Sequence, residues 1–552
     1  EVHGFLREEY FNQYAQYNSE STNGGLIVPN QFFIKNSKQQ ASFNAYKFNT
    51  KRIVSTIFMI GTSWKNQLFL DITGRNDWSS ALVYSYGTGN FSYFYPSVSG
   101  SWIITETFKD KLPKWVSFAK VRGSWAQVGN DTSPYYINSG YSVATYQRGD
   151  KKIYGMTIPE NMKSTNLKPE RKNAWEVGLD WRFLDSRIGI DLTYYKENTR
   201  NQIMTINVPW ESGVKEKLIN AGNIQNSGIE IALNTTPIKK KQWQWDLNFT
   251  YTRNRNKIVE LSPDVTSYIN LDGAANYGNY RIASVAKVGS DYGMLMSDSW
   301  IKTDEKTGKP VVGYTNKFRT VYYKRGGTVK EVGSMLPNFL GSLNSTLRWK
   351  DLSLYVLFDA RFGGYVASYN SRYATAYGFS GETEKYRKGM TWTSKYANAQ
   401  DKVFTDGFIP DVVFDAGTIV TTPGGTNQDV SGMTYQEAYE KGYVEPAHLQ
   451  SAAYFKNSWG TGVINDDWFK KINYIALREI TLSYNVPTKI SSYIGAKNLS
   501  LSFTGRNLAY LLNTAPNHEN PESVRGTGAA QFRMRSFMPY TASYLFTLNA
   551  TF

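Results

Sequence analysis

Few side chains in this sequence are suited to catalysis or metal binding, and those few lie far apart. The chain has no cysteine and only three histidines, His3, His448 and His518. Without cysteine there can be no thiolate nucleophile, thiolate metal ligand or disulfide, and the histidines lack the short spacing of a zinc site. We therefore expect no metal and no cofactor.

Two pairs of carboxylates have a spacing that acid–base catalysis or Ca²⁺ binding could use, Asp466 with Asp467 and Glu382 with Glu384. Either role needs a convergent pocket with further ligands or a base, and no nearby motif provides one. The glycine-containing run 87–90 has no helical pattern after it, which favours a turn over a phosphate cradle. These patterns argue against an enzyme; the alternative, a hydrolase built into the fold, would need a nucleophile beside a base.

Aromatic side chains are the other group that could bind a ligand. They make up 15% of the chain, with 40 Tyr, 29 Phe and 15 Trp. Aromatic faces stack on sugar rings and on peptide side chains. The candidate contacts in predicted loops are Tyr84, Tyr86, Phe91, Tyr93 and Trp210. For each of them, packing between loops or a place in an aromatic belt at a membrane interface is the alternative.

The chain carries a formal net charge of +16, from 62 basic and 46 acidic residues. Such an excess can attract nucleic acid or lipid headgroups. No dense basic run is interleaved with aromatic residues, so we expect solvated charge spread over loops and no nucleic-acid partner.

The elements that carry these residues are strands. In the segment 544–552, Tyr544, Phe546 and Leu548 share one face while Thr547 and Asn549 share the other, because side chains alternate along a strand. The same alternation recurs along the chain between turn residues. It predicts about fourteen strands, at 5–17, 52–62, 68–77, 95–105, 118–128, 173–183, 187–198, 223–234, 243–254, 338–349, 352–362, 474–484, 499–507 and 544–552.

Short and long connections alternate between these strands. No apolar run approaches the ~20 residues of a membrane helix, but strands of roughly ten residues suffice to cross a bilayer at a tilt. Short turns on one side and long loops on the other are typical of an outer-membrane barrel. The pattern predicts an all-β fold, a transmembrane antiparallel β-barrel with long extracellular loops in contact with outer-membrane lipids. A soluble all-β protein is the alternative.

Several stretches resemble the SusC/RagA family, the TonB-dependent outer-membrane transporters of Bacteroidota. They follow one another in the family's order along nearly the whole chain. The stretches are residues 68–80, 95–102, 121–130, 166–170, 223–230, 337–342, 358–364, 475–487, 505–508 and 520–522.

This resemblance implies a 22-stranded barrel with an N-terminal plug, of which residues 1–552 would supply the C-terminal portion of about fourteen strands. The plug domain and early strands would then lie outside this chain, as would the segment that contacts TonB. It also implies TonB-energised import of oligomeric nutrients, glycans or peptides. The implied partner is a SusD-like surface lipoprotein, in a dimer of transporter–lipoprotein pairs. A passive porin or adhesin barrel is the alternative.

Overall fold

The computed structural model of the chain describes residues 1–109, 111–208, 210–262, 268–271, 282–317, 319–327, 329–381, 389–448, 469–524, 528, 532–534 and 539–552. The chain divides into two compact units. Unit 1 comprises Glu1–Ile229 and Asn256–Ser267, and unit 2 comprises Glu230–Arg255 and Tyr268–Phe552.

Fourteen long strands dominate the described residues, and each corresponds to one predicted strand, so the predicted all-β fold is confirmed. They are β1 (Val2–Leu26), β2 (Ser37–Trp64), β3 (Leu68–Ser79), β4 (Ser92–Ile103), β5 (Val116–Asn130), β6 (Glu170–Phe183), β7 (Ile188–Arg200), β8 (Asn223–Lys239), β9 (Trp243–Glu260), β10 (Phe339–Trp349), β11 (Leu352–Ser368), β12 (Phe469–Val486), β13 (Asn498–Asn513) and β14 (Ser543–Thr551).

Each strand pairs with its neighbour in the chain. In unit 1 the antiparallel order runs from β1 through β2, β3, β4, β5 and β6 to β7. In unit 2 the antiparallel order runs from β9 through β10, β11, β12 and β13 to β14. Consecutive antiparallel strands need only tight turns at one end, which explains the short connections.

The register places apolar side chains on one face of each sheet and polar side chains on the other. In unit 1, Val98, Trp125 and Trp175 lie side by side across β4, β5 and β6, and all three are exposed. One residue along, Ser99, Ser124 and Glu176 form the matching polar row. An apolar face left exposed along a whole sheet is the pattern of a membrane-facing surface.

Tight turns close the hairpins at the short-connection end. Lys65 and Asn66 both have positive φ, as a two-residue type I′ turn requires, and the amide of Gln67 bonds to the carbonyl of Trp64 at 2.9 Å. Aromatic pairs lie beside these turns, with Trp115 on Phe183 in unit 1 and Trp243 on Trp349 in unit 2. Such pairs suit the membrane interface.

The first hairpin differs from the prediction. The predicted strands 5–17 and 52–62 leave a polar stretch between them, but β1 and β2 pair from Val2 with Thr62 out to Leu26 with Ser37. Its outer half has no apolar face, so alternation does not reveal it. Buried Asn36 fixes the tip, because its side chain bonds both the N–H and the C=O of Val28.

The connections between the long strands contain smaller elements. In unit 1 the short strands are Ser142–Arg148, Lys151–Thr157, Asn161–Lys163, Ile203–Asn207 and Glu216–Asn220, with helix α1 at Ile104–Thr107. In unit 2 they are Tyr268–Asn270, Ile282–Lys287, Met294–Ser297, Trp300–Ile301, Val311–Thr315, Thr320–Tyr323, Arg325–Gly326, Lys330–Ser334, Met390–Thr393, Val403–Phe408, Val413–Phe414, Ile419–Thr421, Asn427–Asp429, Ala447–His448 and Arg533–Met534. Among the described residues of unit 2, the α-helices are α2 (Tyr369–Ala376), α3 (Tyr435–Glu440) and α4 (Thr488–Ser491).

Two groups of these elements in unit 2, the described residues within 311–323 and 403–448, share a hydrophobic core of their own; together we call them the loop module. Val312, Val321, Phe414 and Tyr435 are fully or almost fully buried within it. Among the described residues, no helix is long and apolar enough to cross a membrane.

Candidate transport pathway

The polar face of unit 1 holds two arginine networks. In the first, the Arg75 guanidinium bonds to three side chains from three strands, Glu9 at 3.0 Å, Asp77 at 2.7 Å and Ser55 at 2.8 Å. The strand register brings these partners together, because Glu9 pairs with Ser55 and Ser55 with Asp77. The Tyr95 hydroxyl donates to the second oxygen of Asp77 at 2.5 Å, so the network reaches β4.

The second network is centred on Arg122 of β5. Its two terminal nitrogens donate to the two carboxylate oxygens of Asp191 at 3.0 and 2.8 Å, the forked geometry that suits a guanidinium. One of them also donates to the Thr193 hydroxyl at 2.6 Å, and Glu176 lies 3.8 Å from Nε. Gly178 leaves room for this arrangement, because a Cβ there would lie 2.5 Å from Arg122 Nε.

A small groove lies on the same polar face. Its volume is about 290 Å³, and its walls include Asp71, Ser99, Ser124, Arg122 and Glu176. Both signs of charge and several hydroxyls therefore line one open space. Such a lining hydrogen-bonds to hydrated, polar solutes and provides no reactive nucleophile.

Unit 2 has a comparable polar face with Arg478 of β12 at its centre. Arg478 bonds Asp359 of β11 at 2.5 Å and Glu522, in the loop after β13, at 2.6 Å. The Tyr510 hydroxyl also donates to Glu522 at 2.9 Å. These bonds hold the segment around Glu522 against the polar face.

Further charged residues also lie on the polar faces of the two units. Asp180 pairs with Arg182 at 3.0 Å, Asp246 with Arg348 at 2.7 Å and Arg506 with Glu479 at 2.8 Å. Glu230 is exposed. Arg122 shares the polar face with Ser124 by simple alternation, whereas Arg478 is the extra residue at a bulge between Leu477 and Glu479, which alternation does not predict.

The five loop aromatics are not equivalent. Tyr84 is 5% exposed, its hydroxyl donates to the Ser164 carbonyl and accepts from the Leu167 amide, and burial raises its pKa. Tyr86 is 61% exposed and stacks on Tyr84 with 5.2 Å between ring centroids.

The remaining three aromatics offer less open ring surface or lie where no side chain is described. Tyr93 is buried and stacks on Tyr95, and Phe91 is half-buried. Trp210 begins the short 3₁₀ helix Trp210–Ser212, and its side chain falls outside the described part of the structure.

The carboxylate pairs considered for catalysis or Ca²⁺, Asp466 with Asp467 and Glu382 with Glu384, also lie outside the described residues. Within the described ranges, no group of three or more His, Asp or Glu side chains is arranged to hold a metal ion.

Comparison with known proteins identifies the class to which this architecture belongs. The family model described as TonB dependent receptor-like, beta-barrel matches residues 3–365. The chain is therefore a member of that family, an outer-membrane receptor barrel and not an enzyme.

Individual relatives show which members of the family this chain resembles. The chain is 23% identical to TonB-dependent receptor P26 of Formosa agariphila over 86% of its own length and 43% of the relative's. It is 28% identical to TonB-dependent receptor SusC of Bacteroides thetaiotaomicron over 47% of its own length and 26% of the relative's. The chain thus spans less than half the length of these curated relatives.

The fold has a solved counterpart. The whole chain superimposes on 53% of a chain in the structure of the RagAB peptide transporter, with a TM-score of 0.66 at 16% identity. At this identity the likeness concerns the fold. Together, the structural match and the sequence match to SusC confirm the expected resemblance to the SusC/RagA family.

Proposed function

We propose that this chain forms the C-terminal strands of an outer-membrane importer for oligomeric nutrients. The observation that carries the proposal is the division of each sheet into an exposed apolar face and a face lined by linked charges and hydroxyls. A membrane-facing exterior combined with a hydrogen-bonding lining is what a path for polar solutes through a bilayer requires.

The importer would be energised by TonB and would work with a SusD-like lipoprotein over its mouth. The support is family membership, together with neighbours whose names are SusC and RagAB peptide transporter. The plug, the early strands of a 22-stranded barrel and the TonB-contacting segment would come from sequence outside residues 1–552. Assembly as a dimer of transporter–lipoprotein pairs belongs to the same proposal.

The cargo class follows from what the lining can recognise. Carboxylates, guanidinium groups and hydroxyls bind both glycan hydroxyls and peptide amides, so both oligosaccharides and oligopeptides are kept as substrates to be tested. Ion pairs hold Arg75, Arg122 and Arg478 in fixed positions on the polar faces. Neighbouring carboxylates therefore already balance the charges of these arginines before any cargo binds.

The test is uptake of fluorescent oligosaccharide and oligopeptide mixtures by cells that express the complete protein, compared with a deletion strain. We expect one of the two classes to accumulate, and accumulation to stop when TonB is deleted or a protonophore is added. Uptake that continues without TonB would instead identify a passive porin. No uptake of either mixture, with surface binding retained, would favour an adhesin.

Of the five loop aromatics, we propose Tyr86 as the principal ligand contact, with Tyr84 as the ring that packs against it and Tyr93, Phe91 and Trp210 as lesser candidates. Substitution Tyr86→Ala should raise the apparent KM for uptake by roughly three- to tenfold, the effect of one lost aromatic stacking contact. The matched control is Tyr141→Ala, which removes a tyrosine that is 70% exposed in the next long loop. Equal KM values for the two variants would contradict the assignment.

A further inference from the structure

A groove of about 740 Å³ opens in unit 1 where two neighbouring strands part. Strands β4 and β5 are paired up to Ser97 with Ala126 and no further. Beyond that pair, β4 continues along β3 and β5 continues along β6. Pro96 lies at the separation point, and a proline has no N–H with which to continue a ladder on both sides.

The groove opens on the apolar face of the sheet. Trp125 is in register with Val98 and Trp175, which belong to that face, while the Arg122 network occupies the opposite one. Phe94 and Trp125 line the groove and are 47% and 41% exposed. Large exposed aromatics on the membrane-facing side are the usual occupants of the interface between acyl chains and headgroups.

Two cationic side chains line the groove together with these aromatic residues. Lys168 and Arg171 line the groove, and both are exposed. Within the described residues, no carboxylate pairs with either side chain, although most of the arginines on the polar faces are paired. Glu170, which lies between them in sequence, accepts instead from the Asn130 side chain and the Ile203 amide.

The position of the groove along the strands indicates on which side of the membrane it lies. It lies at the end of the strands from which the long connections 80–91 and 131–169 emerge, which is the outer side in proteins of this architecture. Amide groups add neutral hydrogen bonding: the Asn90 side chain donates to the Leu167 carbonyl at 2.9 Å, and Gln127 also lines the groove.

We propose that this groove binds the phosphate-bearing saccharide headgroup of an outer-leaflet glycolipid. Lys168 and Arg171 pair with the phosphate, the amides contact sugar hydroxyls, and Phe94 and Trp125 contact the saccharide and the first acyl carbons. Forked guanidinium geometry and an ammonium point charge are both well suited to phosphate oxygens. A soluble anionic sugar shares the phosphate chemistry, but the aromatic residues on the membrane-facing side favour a lipid.

The experiment uses the complete protein in detergent micelles and measures lipid binding by native mass spectrometry. The probes are lipid A with its phosphates, dephosphorylated lipid A, and the phosphorylated glucosamine disaccharide without acyl chains. Substitutions Lys168→Gln and Arg171→Gln, together, remove the two cations. Lys151→Gln with Lys152→Gln is the matched control, because those exposed lysines lie on a hairpin of the same unit.

We expect phosphorylated lipid A to bind the protein and the control variant alike, and the double variant at least about tenfold more weakly. Dephosphorylated lipid A should bind the unsubstituted protein more weakly than phosphorylated lipid A does, by a similar factor. Undiminished binding to the double variant, or equal binding of dephosphorylated lipid, would overturn the proposal. Equal binding of the acyl-free disaccharide would also overturn it, in favour of a soluble ligand.

Discussion

Gly178 shows how one position controls the polar lining of unit 1. The Arg122 side chain lies across it, and an added Cβ would meet Arg122 Nε at 2.5 Å and Cζ at 2.6 Å. A guanidinium can swing away from such a clash, but it then leaves Asp191. At Gly123, on the same sheet, an added Cβ would find its nearest atom at 3.8 Å.

Substitution Gly178→Ala should therefore lower the free energy of unfolding by roughly 1 kcal/mol, because it separates a partly exposed bidentate ion pair. Gly123→Ala is the control and should be neutral. Both are measured by urea unfolding of the protein in lipid vesicles. Equal stabilities for the two variants would show that Arg122 keeps its partner by another route.

Two glutamates in the loop after β13 respond to pH in opposite directions. Glu519 is 7% exposed, and burial raises its pKa to about 7, although the Ser368 hydroxyl donates to it at 3.1 Å. For Glu522, burial alone would raise the pKa, but hydrogen bonds from Arg478 and Tyr510 outweigh it and lower the pKa.

Because the folded state favours protonated Glu519, its contribution to stability is complete below pH 4.5 and is lost as the pH rises through about 7. Substitution Glu519→Gln should remove this loss and raise stability above pH 7, by up to about 3 kcal/mol. Substitution Glu522→Gln should instead lower stability at neutral pH, since it leaves Arg478 with one carboxylate fewer. Unfolding midpoints between pH 4 and 8 test the pair, and parallel pH profiles for both variants would contradict the account.

At the residue scale, sequence reasoning identified the aromatic-rich loops but not the role of each ring. Tyr84 is buried because its hydroxyl bonds Ser164 and Leu167, eighty residues or more along the chain. No local pattern around Tyr84 reports those partners. Tyr86, two residues on, stacks on it and remains exposed.

Among the elements, the long strands were predictable because each buries or exposes one whole face. Period-two alternation located all fourteen, and turn residues such as Asn66 located the tight connections. The outer half of the first hairpin and the loop module were not predicted. The hairpin half lacks an apolar face, and the module joins short strands that are far apart in sequence, such as Val311–Thr315 and Val413–Phe414.

The loop module should unfold independently of the long strands, because its core is its own. Phe414 is 1% exposed and packs against Tyr435, with 5.4 Å between the two ring centroids. Substitution Phe414→Ala should destabilise the module by about 3–5 kcal/mol, the usual effect of removing a buried aromatic ring. Hydrogen exchange should then speed up in Val311–Thr315 and remain slow in β10.

The control for this prediction is Val403→Ala. Val403 belongs to the same module but is 59% exposed, so its truncation opens no cavity. Faster exchange in β10 as well, or no change within the module, would show that the module and the long strands form one cooperative structure.

At the scale of the whole molecule, the two faces of the sheets express one requirement. In a bilayer every backbone group needs a partner, which antiparallel strands supply, and the outer face must be apolar. The inner face is then free to be charged, as the Arg75, Arg122 and Arg478 networks are. Composition hides this division, since alternating apolar and polar residues average to an ordinary hydropathy.

The most direct test of the importer account is mass spectrometry of the intact complex purified gently from native outer membranes. We predict that this chain's sequence appears together with a plug-bearing N-terminal segment and a SusD-like lipoprotein, and that bound oligosaccharide or peptide identifies the cargo. A complex that contains neither the plug-bearing segment nor the lipoprotein would contradict the account.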